Sequence, residues 1–266
     1  EKRLRRPMLR IFFTALAYFS RLPCPRNISL SPDDLTRATA FLPLIGWIVG
    51  GISGLVFIIS STFVSTFSAA LLATITGILL TGALHEDGFA DACDGFGGGW
   101  EPEQILSIMK DSRIGVFGAL GLCLLLLTKL SLMVDGFQHI KTSFAALLVF
   151  INAHTLSRFM ATCSVYFGRY ARPISDKEAK ASALHQPMKL NSALIATGFT
   201  LVPYACLILL SGNLLIAASP IVLALITWRA HFYFNKKIGG YTGDCLGAIQ
   251  QLTEAAFYLC IAVAVS

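Results

Sequence analysis

Three aspartates at i, i+4 and i+7 mark the stretch of this sequence best suited to chemistry. They are Asp87, Asp91 and Asp94, within His85-Glu86-Asp87-Gly88-Phe89-Ala90-Asp91-Ala92-Cys93-Asp94-Gly95. On a helix these positions share one face, with neighbours about 5–6 Å apart. Like charges that close coexist when a cation sits among them or when some are protonated. Oxygen-only donors suit Mg²⁺ or Mn²⁺ better than zinc, and Mg²⁺ readily accepts phosphate oxygens as further ligands. The candidate metal ligands are therefore Glu86, Asp87, Asp91 and Asp94, with Asp111 and Asp244 as further acids, for one or two Mg²⁺ ions. His85 stands beside this face and titrates near neutral pH, so it is the candidate general base. The plainer alternatives are a solvated acidic helix and a histidine that only donates a hydrogen bond. The first fits poorly, because the acids directly follow an apolar run in a charge-poor chain.

Cations occur in two neighbouring segments. Lys110 and Arg113 lie in Met109-Lys110-Asp111-Ser112-Arg113-Ile114-Gly115, where Arg can grip a phosphate by a bidentate fork and Lys as a point charge. Arg113 is placed with His85 and Asp91 in the expected catalytic set; lipid anchoring is the alternative for each cation. The second segment, Lys236-Lys237-Ile238-Gly239-Gly240-Tyr241-Thr242-Gly243-Asp244-Cys245-Leu246-Gly247, combines lysines with a Gly-rich backbone. Lys236, Lys237, Gly240, Thr242 and Gly243 could form a phosphate cradle, although the order is not that of a Walker A loop. Arg158 lies inside an apolar run, one turn after His154. An Arg there faces a polar interior and could reach a phosphate, unless it snorkels to the interface.

The elements that hold these residues are apolar. More than half of the 266 residues are hydrophobic and only 14% are charged, a balance that excludes an ordinary soluble domain. A crossing takes about 20 residues. Spans are expected at 41–59, 63–84, 115–134, 142–166, 191–210 and 214–234, with a shorter seventh at 254–266. Ile11–Phe19 is too short to cross and reads as an interfacial or re-entrant helix. The fold class is all-α: a polytopic membrane helix bundle of about seven spans, forming a single integral membrane domain over 1–266. Gly46 and Gly50 form a small-xxx-small pair suited to close helix packing. The seven cysteines include no CxxC pair and indicate neither zinc nor disulfides. In this topology 18 of the 21 Lys and Arg fall on one side, which the positive-inside rule makes cytoplasmic. The loops 85–114 and 235–253 then face the cytoplasm. The net charge of +6 speaks for anionic membrane lipid as a partner and not for nucleic acid; a homo-oligomer is left open.

Carboxylates, a divalent cation and basic loops at a membrane surface favour transfer of a phospho group. Three rivals follow from the same residues: a CDP-alcohol phosphotransferase-like enzyme, a membrane prenyltransferase, and a cation transporter. The DGxxAR order of the first is missing, since Asp91 follows Asp87-Gly88-Phe89-Ala90. A transporter needs acids at mid-membrane, whereas these sit at one surface.

Gly82-Ala83-Leu84-His85-Glu86-Asp87-Gly88-Phe89-Ala90-Asp91-Ala92-Cys93-Asp94-Gly95 resembles the signature of the cobalamin-5′-phosphate synthase (adenosylcobinamide-GDP ribazoletransferase) family. Met109–Gly115 resembles its second motif and Gly239–Gly247 its carboxy-terminal one; Arg21-Leu22-Pro23 and Pro43-Leu44-Ile45-Gly46 also fit. The resemblance implies a Mg²⁺-dependent enzyme of the cytoplasmic face of the cell inner membrane. It would join adenosylcobinamide-GDP to α-ribazole or its 5′-phosphate, release GMP, and yield adenosylcobalamin or its phosphate.

Overall fold

The computed structural model describes residues 7–25, 31–171 and 188–266. Basic residues at 2–6 and most of the loop 168–189 lie outside them. The described elements are helical. The chain opens with α1 (Pro7–Phe19) and α2 (Pro32–Ala38), which passes through a 3-10 turn at Thr39–Phe41 into α3 (Leu42–Ser60). Ser31 caps α2 by accepting from the Asp34 amide, and a proline occupies its first turn. Arg10 of α1 donates to the buried Asp34 carboxylate at 2.9 Å, tying the two short helices together.

Next come α4 (Thr66–Thr81), α5 (Leu84–Gly98), α6 (Pro102–Ile108), α7 (Val116–Phe137) and α8 (Ser143–Phe167). The last three are α9 (Leu190–Ser211), α10 (Leu214–Ile238) and α11 (Gly243–Val265). Among the described residues, six helices are long and apolar enough to cross a membrane, or seven if α4 and α5 count as one broken span. The all-α membrane bundle expected from the sequence is what the structure shows, with a shorter apolar helix, Met8–Phe19, at the start.

Two elements differ from expectation. The expected span 63–84 is the shorter helix α4, Thr66–Thr81, and at its end the chain turns by 90° into α5. Gly82 (φ +66°) and Ala83 (φ +59°) make that corner in the left-handed region. Glycine enters this region freely, but alanine does so at a cost of about 1–2 kcal/mol. The last helix starts at Gly243, eleven residues before the expected 254, and its 23 residues suffice to cross. Its first half reads as polar because Gln250, Gln251 and Glu254 face inward and bond to other helices, as described below.

The buried centre is α8, packed against α3 on one side and α11 on another. A Cβ on Gly46 or Gly50 would collide with the backbone carbonyl oxygens of His154 or Phe150, so α3 lies directly on the α8 backbone. The small-xxx-small pair thus does what its spacing predicts. By contrast, α7, α9 and α10 turn most of their apolar side chains outward, as suits helices facing lipid tails.

Candidate active site

Helices α5 and α11 cross where both lack side chains. A Cβ on Gly88 would stand 3.1 Å from Asp244 Cα, and one on Gly247 would stand 3.0 Å from the His85 carbonyl oxygen. The contact places the start of α5 against the start of α11. It thereby unites two segments about 160 residues apart in sequence. Around it lies a cleft of about 930 Å³, counting its open mouth, walled by Tyr18 and Phe19 of α1, Thr39 and Leu42 at the head of α3, and Val165 of α8. His85, Asp87, Gly88, Gly243 and Asp244 also line it.

The six expected metal ligands separate by what their carboxylates already do. Asp87 is exposed and lines the cleft together with Asp244. Asp91 is half-buried, one turn further along α5. Asp94 is buried and accepts from the amides of Gly115 at 2.7 Å and Gly118 at 2.8 Å. It caps the start of α7 from another helix, where a negative charge also meets the positive end of the helix dipole. Glu86 is buried and accepts from Gln251 Nε2 at 2.8 Å. Asp111 takes a two-pronged contact from the exposed Arg113, whose hydrogen bonds hold the Asp111 carboxyl down at about 2.

Among the described residues, no three His, Cys, Asp or Glu side chains stand together as a ready-made metal cage. The donors at the cleft are carboxylates all the same, and Mg²⁺ is commonly held by one or two carboxylates with water and substrate phosphates completing its shell. Asp87 and Asp244, with Asp91 adjacent, fit that pattern.

Asp94→Ala is expected to leave the Gly115 and Gly118 amides without a partner. The loss should be about 2 kcal/mol of stability, read as a lower melting temperature of the purified protein.

Each expected phosphate ligand has a definite place. Thr242 caps α11, its hydroxyl accepting from the Cys245 amide at 3.3 Å and donating to Asp244 Oδ2 at 3.2 Å. Gly243, in the first turn of α11, has open space on its Cα and lines the cleft. Gly240 is needed for packing: any side chain there would strike the Arg169 carbonyl, where Tyr241 and Arg169 pair through their backbones. Lys236 and Lys237 end α10, where cations suit the helix dipole. They do not line the cleft, and neither do Lys110 and Arg113, which stand in the turn leading into α7. Arg158 is buried, does not snorkel, and bonds to His154 through Nδ1 at 3.1 Å and the carbonyl at 3.0 Å.

The sequence reading missed two things. Tyr18 of α1 faces the cleft; burial first, then the Asp244 charge, raise its hydroxyl above the usual value, which keeps it neutral. Behind the cleft lies an intramembrane network. Lys129 Nζ of α7 stands 2.6 Å from Glu254 Oε1 of α11 and 3.1 Å from Gln251 Oε1. Gln250 donates to Glu254 at 2.6 Å and to Ser157 at 3.1 Å, and His154 approaches Glu254 at 3.4 Å. The signal was present: Lys129 sits mid-span, and Gln250, Gln251 and Glu254 form a polar stripe on an otherwise apolar helix. His85 lines both the cleft and the chamber that this network surrounds.

With that geometry in place, comparison with known proteins settles the family. The pattern described as cobalamin-5-phosphate synthase matches residues 11–262. The chain belongs to the cobalamin-5-phosphate synthase family. An adenosylcobinamide-GDP ribazoletransferase of Shewanella frigidimarina is 40% identical over 259 residues, covering 95% of this chain and 94% of that protein. Proteins of the same name from Shewanella woodyi (41% over 259 residues; 96% of each chain) and Ralstonia nicotianae (41% over 251 residues; 94% and 93%) are equally similar. No solved structure matches. As a cobalamin-5-phosphate synthase family member, the chain is a transferase of cobalamin biosynthesis. Asp87, Asp91 and Asp94 all fall within the matched residues, as do Lys129 and Glu254.

Proposed function

We propose that this transferase moves the adenosylcobinamide-phosphate group of adenosylcobinamide-GDP onto a hydroxyl of α-ribazole or its 5′-phosphate, releases GMP, and depends on Mg²⁺. The observation that carries this reading is the convergence of Asp87 and Asp244, from two distant motifs, on one cleft at the α5–α11 crossing. Relatives covering almost the whole chain carry the name of this activity.

The ribazole oxygen forms a bond to the phosphorus nearest the corrinoid side chain, and the bond from that phosphorus to the GMP oxygen breaks. His85 borders the cleft and accepts the hydroxyl proton. Asp87 and Asp244, with Asp91, would hold Mg²⁺, which supplies charge neutralisation for the diphosphate. The first turn of α11 presents its positive end to the same cleft, a setting that attracts phosphate. Lys110, Arg113, Lys236 and Lys237 draw the polyanionic substrate towards it. Positive charge concentrated on this side supports a site at the cytoplasmic face of the inner membrane.

The test uses purified protein in lipid nanodiscs with adenosylcobinamide-GDP, α-ribazole or its phosphate, and Mg²⁺. Equimolar GMP and a cobalamin product should form, and chelation should stop both. Absence of product with either acceptor, at any Mg²⁺ concentration, would reject the reading.

A further inference from the structure

The buried network behind the cleft has no assigned role, and its connections end on the catalytic helix. We propose that Lys129, Gln251 and Glu254 are positioning residues, whose intramembrane chain sets the rotation of α5 and so aims Asp87 into the cleft. The inference rests on the transfer reading above and adds residues that touch neither substrate nor metal.

The argument starts from the corner before α5. Ala83 holds a left-handed backbone that alanine resists, and such a conformation persists only when its surroundings impose it. Two clamps on α5 impose it. At the far end Asp94 grips the start of α7. At the near end Glu86 Oε1 accepts from Gln251, whose own carbonyl oxygen accepts from Lys129, whose charge is balanced by Glu254. Gln251 is the central link: its amide is oriented by a donor on one side and an acceptor on the other, so it cannot flip without breaking both bonds. All four residues are buried.

Successive residues on a helix point about 100° apart. With Glu86 held inward, Asp87 must point away from the network, and it lies on the cleft. Freed from Gln251, Glu86 would leave a carboxylate unpaired in a membrane interior, a costly arrangement. It would relax by turning the first turn of α5. Glu86 Oε2 and His85 Nε2 are buried and make no hydrogen bond to described residues, and the chamber they line has room for about one water molecule. The single bond from Gln251 is thus what fixes Glu86.

The experiment compares wild type with Gln251→Met, Lys129→Met and the conservative Lys129→Arg in nanodiscs. It measures kcat and KM for both substrates, the Mg²⁺ concentration for half-maximal rate, melting temperature, and direct Mn²⁺ binding by electron paramagnetic resonance. Gln251→Met fills the same space without polar atoms. It should lower kcat by about 10- to 100-fold, because a misplacement of about 1 Å has that effect. KM for adenosylcobinamide-GDP should stay within threefold, while Mn²⁺ binding weakens several-fold. Lys129→Met should follow it, and Lys129→Arg should recover most of the rate. If Gln251→Met and Lys129→Met lower the melting temperature but leave kcat per folded molecule and Mn²⁺ affinity unchanged, the network is structural only and the inference fails. If wild type forms no product, the transfer reading fails instead, and Mn²⁺ binding still reports on the network. Should one Met variant not fold, the other and Lys129→Arg decide the matter by the same readings.

Discussion

Asp87→Asn should lower turnover by about 10²–10³-fold, the loss expected when a preorganised charge is removed from a transferring phosphoryl group. The change keeps the shape of the side chain and removes only its charge. Asp87 is exposed, so nothing in the packing depends on that charge, and melting temperature and helical circular dichroism should be unchanged. Higher Mg²⁺ should recover part of the rate, because the lost ligand weakens metal binding. Asp94→Asn should behave in the opposite sense, with a larger loss of stability than of turnover, because its carboxylate oxygens are engaged by α7 amides. Rates for Asp87→Asn within threefold of wild type across a full Mg²⁺ titration would remove Asp87 from the site.

Glu254→Leu should be the most destabilising single change in the bundle. It leaves Lys129 buried and unpaired and strips acceptors from Gln250 and His154. Breaking one partner of a buried ion pair costs about 3–5 kcal/mol. Replacing both partners, as in Glu254→Leu with Lys129→Met, should restore most of the melting temperature, since well-packed apolar pairs often match buried ion pairs in stability. Retention of native melting behaviour by Glu254→Leu alone would show that Lys129 finds another partner. The double variant should still be slow, because the Gln251 amide would no longer be oriented.

The helices were legible where apolar runs are long and uninterrupted: α3, α7, α8, α9 and α10 start and end within a few residues of expectation. Reading failed where tertiary contacts override composition. The polar first half of α11 looked like a loop because its glutamines and Glu254 bond to other helices, and a one-dimensional reading weighs them as if they met water. The corner at Gly82–Ala83 was hidden because alanine gives no sign of a left-handed backbone. In the site, the i, i+4, i+7 spacing placed three aspartates on one helix face, but it could not tell which carboxylates serve α5 and which serve chemistry. Asp94 and Glu86 hold the helix; Asp87 faces the cleft. The same blindness affected the case against a transporter. Charges do occur mid-span, at Lys129 and Glu254, but they neutralise each other at 2.6 Å, and the family is that of a transferase.

The ion pair between Arg10 and Asp34 has a consequence for how bulky substrates get in. One flank of the cleft is α5, bolted at both ends by buried contacts to α7 and α11. The opposite flank is α1, a short helix held by apolar packing and by an ion pair from a half-exposed arginine. Ion pairs open to water contribute little, so a corrinoid seeking entry meets least resistance by nudging α1 aside. The floor stays still while the doorpost gives.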